Sequence, residues 1–515
     1  MPQKSAFNLI TALTNPEAYQ HPVNSVSIIE THISWVLLTG DYAYKIKKPV
    51  NFGFLDFSTL EKRKFFCNEE IRLNQRFSPD LYLEVVAITG AFDKPQIGGT
   101  GDVIDYAVKM LQFPAGQTLS ERAELGQLEI GEIDQLSKSV AGFHHVIEKA
   151  AETSDYGQSE NIKHWFDENF AHINPLLIDT NHLEQLKKIQ LWGNLEWDNK
   201  AGLMQIRRQQ GYVRECHGDL HLSNITLINN QVRLFDCIEF NPMLRWVDVI
   251  SEIAFLIIDL LHFGYETYAH RFLNHYLQST GDYQSIALLR YYLVYRALVC
   301  AKVALLRDAQ QTTKNDSNRI CYNNFANLAE SYTKVTSPKL MITHGFSGSG
   351  KSTLSQKLAE NIDAIQIRSD IERKRLFNHQ VPKNEPDKVG AGLYSQEISF
   401  ELYLYLAQCA KTIIQAGFSV IIDASFLKND QRNLFRELAV DCNVQFIILD
   451  VQASDEELNY RIVHRQNDAS EATIEVLNHQ LCSAEALTTE ELTSVITVDT
   501  EAANTFEKLI DQLRK

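Results

Sequence analysis

At 515 residues the chain is longer than one hydrophobic core serves, so two or three domains are expected. With 44% hydrophobic and 22% charged residues it has the composition of a folded globular protein, which excludes a disordered or fibrous chain, and its formal net charge of −16 disfavours nucleic acid as a partner. The eight cysteines are scattered without a CxxC pair and read as reduced, buried residues of a cytoplasmic protein. The opening MPQKSAFNLITALTNPEAYQ lacks the long apolar core and cleavage site of a secretory signal.

In chain order, VSIIETHISWVLLTG, YAYKIKK, LYLEVVAIT and VIDYAVKMLQF alternate as strands do, and TLEKRKFFCNEEIRLNQRF interrupts them with a helical pattern. From about Ser120 to Gln210 the pattern is helical. A hairpin is predicted in ITLINNQVRLFD, where Asn229-Asn230 supply the turn. Val247 to about Val335 is helical again, and Val247 to Phe263, too short and too acidic for a membrane span, is expected to be a buried helix. Beyond Ser337-Pro338-Lys339 five short apolar runs alternate with helices: LMITHG, AIQIRS, SVIIDAS, VQFIILDV and SVITVDT. That alternation predicts a doubly wound parallel sheet, with a domain boundary near residue 336.

The sharpest signal of the first half is Cys216-His217-Gly218-Asp219-Leu220-His221-Leu222-Ser223-Asn224, followed by Leu234-Phe235-Asp236. Protein kinases place a catalytic Asp five residues before a metal-binding Asn, and a second metal-binding Asp after a short hairpin. Asp219, Asn224 and Asp236 reproduce that spacing, and the HGD form resembles the aminoglycoside and choline phosphotransferases. The resemblance implies that Asp219 orients or deprotonates the acceptor hydroxyl, that Asn224 and Asp236 hold Mg²⁺ on the ATP phosphates, and that His217 braces the loop. Upstream, Lys45 occupies the strand position from which a lysine reaches the phosphates, with Glu70 as its partner; Lys47 and Glu69 are the alternatives one step away. No GxGxxG precedes Lys45, and the first hairpin offers Glu30-Thr31-His32-Ile33-Ser34 instead. Asp248 and Glu252 are expected to anchor the catalytic loop. Glu239, Asp167 and Glu168 could favour a cationic acceptor, but in so acidic a chain they read as ordinary surface carboxylates.

In the second half, Gly345-Phe346-Ser347-Gly348-Ser349-Gly350-Lys351-Ser352-Thr353 satisfies GxxxxGK[ST] between an apolar run and a helix. Such a loop turns backbone amides around the β-phosphate, while Lys351 reaches the β/γ oxygens and the Ser352 hydroxyl suits Mg²⁺. Asp370 and Asp423 close the second and third runs, where ligands of such sheets bind, and Arg461 and Arg465 follow the fourth. The region Lys339 to Lys515 resembles P-loop small-molecule and polynucleotide kinases, including zeta-toxin-like and gluconate-kinase-like enzymes. The resemblance implies Asp370 as the base for the acceptor hydroxyl and Arg461 and Arg465 as neutralisers of the transferring phosphoryl group. Asp423 would hold Mg²⁺ through water or orient the loop, and Arg373 is a candidate contact to an anionic acceptor.

The combination, with KKPVNFGFLDFSTLEKRKFFCNEE, resembles a bacterial family of fused phosphotransferase and P-loop kinase proteins. The expected architecture is α/β and multidomain: a bilobal protein-kinase-like domain over 1–335 (N-lobe about 1–113, helical C-lobe about 114–335), then a P-loop kinase domain over 336–515. The expected activity is transfer of the ATP γ-phosphate, with Mg²⁺, to a small hydroxylated metabolite at two sites. The rival readings are that one half is a non-catalytic nucleotide-binding regulator, or that the second half is a nucleic-acid 5′-kinase.

Overall fold

The computed structural model describes residues 3–53, 55–310, 316–377, 395–464 and 473–514. The chain folds into two compact units, one of residues 1–166 with 199–259 and a second of 167–198 with 260–515.

The first unit opens with a six-stranded antiparallel sheet: β1 (Ser27–Glu30), β2 (Ser34–Leu38), β3 (Tyr42–Lys47), β4 (Tyr82–Ala91), β5 (Lys94–Ile97) and β6 (Val103–Leu111), in the order β1-β2-β3-β6-β4-β5. Strand alternation gives each face a task. Tyr44 and Ile46 of β3 enter one apolar core with Leu37, Ile88 and Ala107. Lys45 and Lys47 project from the opposite face, opposite Val36 and Ser34 of β2. The helix Leu60–Asn74 begins at Thr59, whose side chain caps the Lys62 amide, and it presents Cys67 to the core shared with Val108 and Met110.

The helices Leu119–Glu124 and Ile130–Val146 follow, then β7 (Val213–Glu215), the hairpin of β8 (Ile225–Ile228) with β9 (Gln231–Leu234), and β10 (Trp246–Asp248) paired with β7. Asn229 and Asn230 both have positive φ, 52° and 59°, the two-residue turn that matches the twist of paired strands. Three-residue strands such as β7 and β10 have no period to detect, and neither is foreseen in the sequence. The expected buried helix is Val249–His262, and its acidic residues Glu252 and Asp259 are buried with it.

The second unit carries a five-stranded parallel sheet of β11 (Lys339–His344), β12 (Ala364–Arg368), β13 (Ser419–Asp423), β14 (Gln445–Gln452) and β15 (Val495–Asp499), ordered β12-β13-β11-β14-β15. These are the five apolar runs. Met341, Ile421 and Leu449 pack with Leu354 and Leu358 of the helix Lys351–Asn361, which fixes that helix directly behind the glycine-rich loop. The edge strand β12 is covered by the helix Glu266–Thr280: Asn274 donates to Ala364 O at 3.1 Å and accepts from Gln366 N at 2.7 Å. Residues 260–335 thus share a compact unit with the parallel sheet.

Candidate active sites

In the first unit the strand lysines converge on a buried carboxylate. Lys45 Nζ lies 2.8 Å from Glu70 Oε1 and also bonds Asp236, while Lys47 Nζ lies 2.6 Å from Glu70 Oε2 and also bonds Glu239. Both lysines therefore share Glu70, whereas Glu69 turns to Arg72 at 2.9 Å. Burial works against the charge on Glu70, but the two lysines outweigh it and hold its pKa well below the usual carboxylate range. Lys47 and Glu239 are also buried, so Glu239 is an internal ion-pair partner rather than the surface carboxylate expected. The sequence offers no local signal for this pair, whose members lie 192 residues apart.

Asp236 follows the β8–β9 hairpin with φ 63°, unfavourable for a residue with a Cβ. The conformation is held by its amide, which donates to the Tyr82 hydroxyl at 2.9 Å, and by Lys45 on its carboxylate. Asn224 Nδ2 donates to Asp219 O at 2.9 Å and Asp219 Oδ2 at 3.0 Å, so the Asp and Asn of the motif share one small loop. His217 is fully buried and donates from Nε2 to Phe235 O at 2.8 Å, pinning the loop to the segment that carries Asp236. Burial lowers its pKa, which keeps the ring neutral. His221 Nε2 stands 3.3 Å from Asp219 Oδ2. Burial would discharge it, but Asp219, helped by Asp259 and Asp236, raises its pKa to about 9.

The loop is held from the helix Val249–His262. Glu252 Oε1 accepts the Gly218 amide at 2.7 Å while its other oxygen meets His144 Nε2 at 2.8 Å, and Asp259 Oδ2 accepts the Leu222 amide at 2.7 Å. Asp248 takes a different partner from the one expected: it forms a buried ion pair with Arg207, at 2.8 and 2.9 Å. The supporting carboxylates are thus Glu252 and Asp259, which hold the Gly218 and Leu222 ends of the loop.

In the second unit Gly345 to Thr353 runs from β11 into the helix Lys351–Asn361. A Cβ on Gly345 would stand 2.4 Å from Val451 O, and one on Gly348 2.8 Å from Leu458 O, at φ 141° and 87°. Glycine is therefore required by both backbone angle and space. Ser347 N–H donates to Gln480 Oε1 at 2.9 Å, Ser349 O accepts from Thr500 Oγ1 at 3.0 Å, and Lys351 Nζ donates to Phe346 O at 2.7 Å. Arg461 Nη1 reaches Gly348 O at 3.3 Å and Thr500 Oγ1 at 2.9 Å. Thr500 is absent from the residues singled out in the sequence. It ends the fifth apolar run, and the rule that such sheets bind ligands at the carboxyl ends of strands is the signal that marks it.

A cleft of about 1540 Å³ beside this loop is lined by Lys351, Asp370, Arg373, Asp423, Arg461 and His479, among others, and Gly350, Ser352 and Thr353 open onto it. Asp370 sits in the first turn of the helix Ser369–Phe377. Asp423 is buried, which raises its pKa against the pull of Arg368 and a hydrogen bond from the Ser352 hydroxyl. Arg465 lies outside the described residues. Ser352 with Asp423 in this unit, and Asn224 with Asp236 in the other, offer the oxygen donors that a hard cation such as Mg²⁺ prefers.

The two clusters thus stand on two folds, a kinase-like fold followed by a P-loop kinase domain. Residues 340–487 match the protein family described as AAA domain (AAA_33). An uncharacterized protein of Mycobacterium tuberculosis (strain ATCC 25618 / H37Rv) is 28% identical over 459 residues, spanning 88% of this chain and 90% of that protein, and one of Mycobacterium bovis matches to the same extent. Among solved structures, choline kinase from Cryptosporidium parvum Iowa II is 12% identical, covering 63% of this chain and 94% of its own, with a TM-score of 0.40. A sugar kinase from Janibacter sp. HTCC2649 is 23% identical, covering 34% of this chain and 92% of its own, with a TM-score of 0.27. Among the described residues no helix is long and apolar enough to cross a membrane.

Proposed function

We propose that the chain is an ATP-dependent phosphotransferase with two kinase-type sites, each transferring the γ-phosphate to a hydroxyl of a small cytoplasmic metabolite. The observation that carries this reading is the arrangement around the 1540 Å³ cleft, where the glycine-rich loop, Lys351 and Arg461 stand with Asp423 and Asp370. The cluster of Lys45, Glu70 and Asp236 beside Asn224 and Asp219 supports the same chemistry in the first unit.

At the P-loop site the backbone amides and Lys351 bind the β- and γ-phosphates, and Arg461 meets the charge that spreads over the equatorial oxygens in the transition state. Asp370 accepts the proton of the acceptor hydroxyl as its oxygen bonds to phosphorus and ADP leaves. In the kinase-like site Lys45 binds phosphate oxygens, and Asp219 orients and deprotonates the acceptor. Mg²⁺, held by Ser352 and Asp423 or by Asn224 and Asp236, would neutralise charge on the phosphates. The module limits 1–335 and 336–515 belong to this reading.

The test is ATP turnover by the full chain with a panel of amino-sugars, sugars and amino-alcohols. Asp219→Asn is expected to abolish phosphorylation of one acceptor class and Asp370→Asn that of another. Turnover indifferent to both substitutions would overturn the assignment. Strong labelling of 5′-hydroxyl oligonucleotides would replace the metabolite by a nucleic-acid end.

A further inference from the structure

The side chain of Gln366 connects the helix Glu266–Thr280 to the phosphate loop. Gln366 is the middle residue of the edge strand β12 and is buried. Its Nε2 donates to Ser355 Oγ at 2.7 Å and reaches Ser352 O at 3.5 Å and Asp423 Oδ2 at 3.4 Å. Its Oε1 accepts from Gln278 Nε2 at 2.9 Å, and its backbone amide donates to Asn274 Oδ1 at 2.7 Å. One buried amide thus has one end on the helix and the other on Ser355, within reach of the Ser352 carbonyl and the Asp423 carboxylate.

The helix itself is fixed against the same elements by polar contacts suited to a permanent interface. Arg271 Nη1 pairs with Glu360 Oε1 at 2.6 Å, His270 Nδ1 lies 3.0 Å from Glu360 O, and Asn274 uses both ends of its amide as a neighbouring strand would. An exposed strand edge needs such a cover, but a cover alone requires no side-chain contact with the strand's interior. Gln278 to Gln366 to Asp423 is additional to it.

We propose that Gln366 is a positioning residue for the P-loop site: held by Gln278 and Asn274, it orients Asp423 so that Ser352 and Asp423 present their oxygens together to a divalent cation. This rests on the reading of that loop as a nucleotide site. A buried amide with partners on both ends has one orientation, so the acceptor oxygen faces Gln278 and the donor faces Ser355 and Asp423. Without the donor, Asp423 is left to Arg368 and Ser352 and is drawn away from the cation position.

The experiment uses the full chain with Asp236→Ala in the background, so that only the P-loop site responds, and titrates ATP by calorimetry at a series of Mg²⁺ concentrations. Gln366→Met, which keeps the volume and removes the donor, is expected to raise the Mg²⁺ concentration for half-maximal ATP binding about tenfold while leaving metal-free ATP binding unchanged. Gln278→Leu is expected to shift it in the same direction by less, because Gln366 keeps Asn274. An unchanged Mg²⁺ dependence in Gln366→Met, or an equal loss of metal-free binding, overturns the positioning role. Should Gln366→Met not fold, Gln278→Leu decides by the same readout. Failure of the underlying reading is distinguishable, since ATP binding would then be absent before either substitution, or untouched by Lys351→Ala.

Discussion

Lys47 and Glu239 show what a second buried ion pair does beside Lys45 and Glu70. Glu70 faces two lysines, so it stays paired if Lys45 moves to a nucleotide, and Lys47 in turn compensates Glu239, whose pKa burial and the nearby Glu70 raise. Removing one member leaves a buried charge without its counterpart, a loss of about 3–5 kcal/mol. Lys47→Met should lower the unfolding free energy in urea by that amount, and Lys47→Met with Glu239→Leu should recover most of it; equal losses in both would refute the pairing. His221 makes a pH prediction. Its folded pKa, about 9, lies above its ordinary 6.5, so its pairing with Asp219 stabilises fully below pH 6.5 and the gain is lost as pH rises through 9. A shift of that size corresponds to roughly 3 kcal/mol. The wild type should therefore exceed His221→Gln in stability at pH 6 and match it near pH 10, and a gap that persists at pH 10 would count against the pairing.

At the scale of elements, legibility followed locality. The glycine-rich loop could be read from nine consecutive residues because its function is its backbone path, and the same path makes Gly345→Ala costly: the new Cβ would stand 2.4 Å from Val451 O. That variant should lose ATP binding at this site and about 1–3 kcal/mol of stability, and retained affinity would mean that the loop can shift without harm. The Asn229-Asn230 turn was equally legible, since positive φ at two successive positions is an asparagine and glycine property. Asn230→Gly should raise stability by about 0.5 kcal/mol and leave turnover alone, whereas a fall in melting temperature would show the Asn side chain to be needed. Contacts joining distant segments were not legible. Nothing near Gln366 announces Asn274, 92 residues earlier, and in the sequence Asp259 is one more polar residue of a helix, with nothing to tie it to the Leu222 amide that donates to it. Asp248 and Glu252 were indistinguishable by spacing, and only the fold gave one to Arg207 and the other to Gly218.

On the scale of the whole molecule, a net charge of −16 gives neither unit a general attraction for phosphate, so in the proposed function each nucleotide is held by its local constellation. One constellation is a loop of backbone amides with Lys351, and the other is a strand lysine with the carboxylate and amide of Asp236 and Asn224. They share no residue, and they lie in different compact units. The full chain should therefore bind two equivalents of ATP in the presence of Mg²⁺. Binding to a folded unit stabilises it by RT ln(1 + [L]/Kd), about 2.7 kcal/mol at a hundredfold excess over Kd, whether or not chemistry follows. Calorimetry should resolve two binding events, of which Lys351→Ala removes one and Asp236→Ala the other. Asp219→Asn, which removes the base and not the phosphate contacts, should keep both. The same variant separates an active kinase-like unit from a regulatory one, because a regulator needs its nucleotide but not its base: phosphorylation lost with binding intact marks an enzyme, and phosphorylation kept marks a regulator. A single binding event in the wild type, or one that survives Lys351→Ala and Asp236→Ala together, would refute the two-site arrangement.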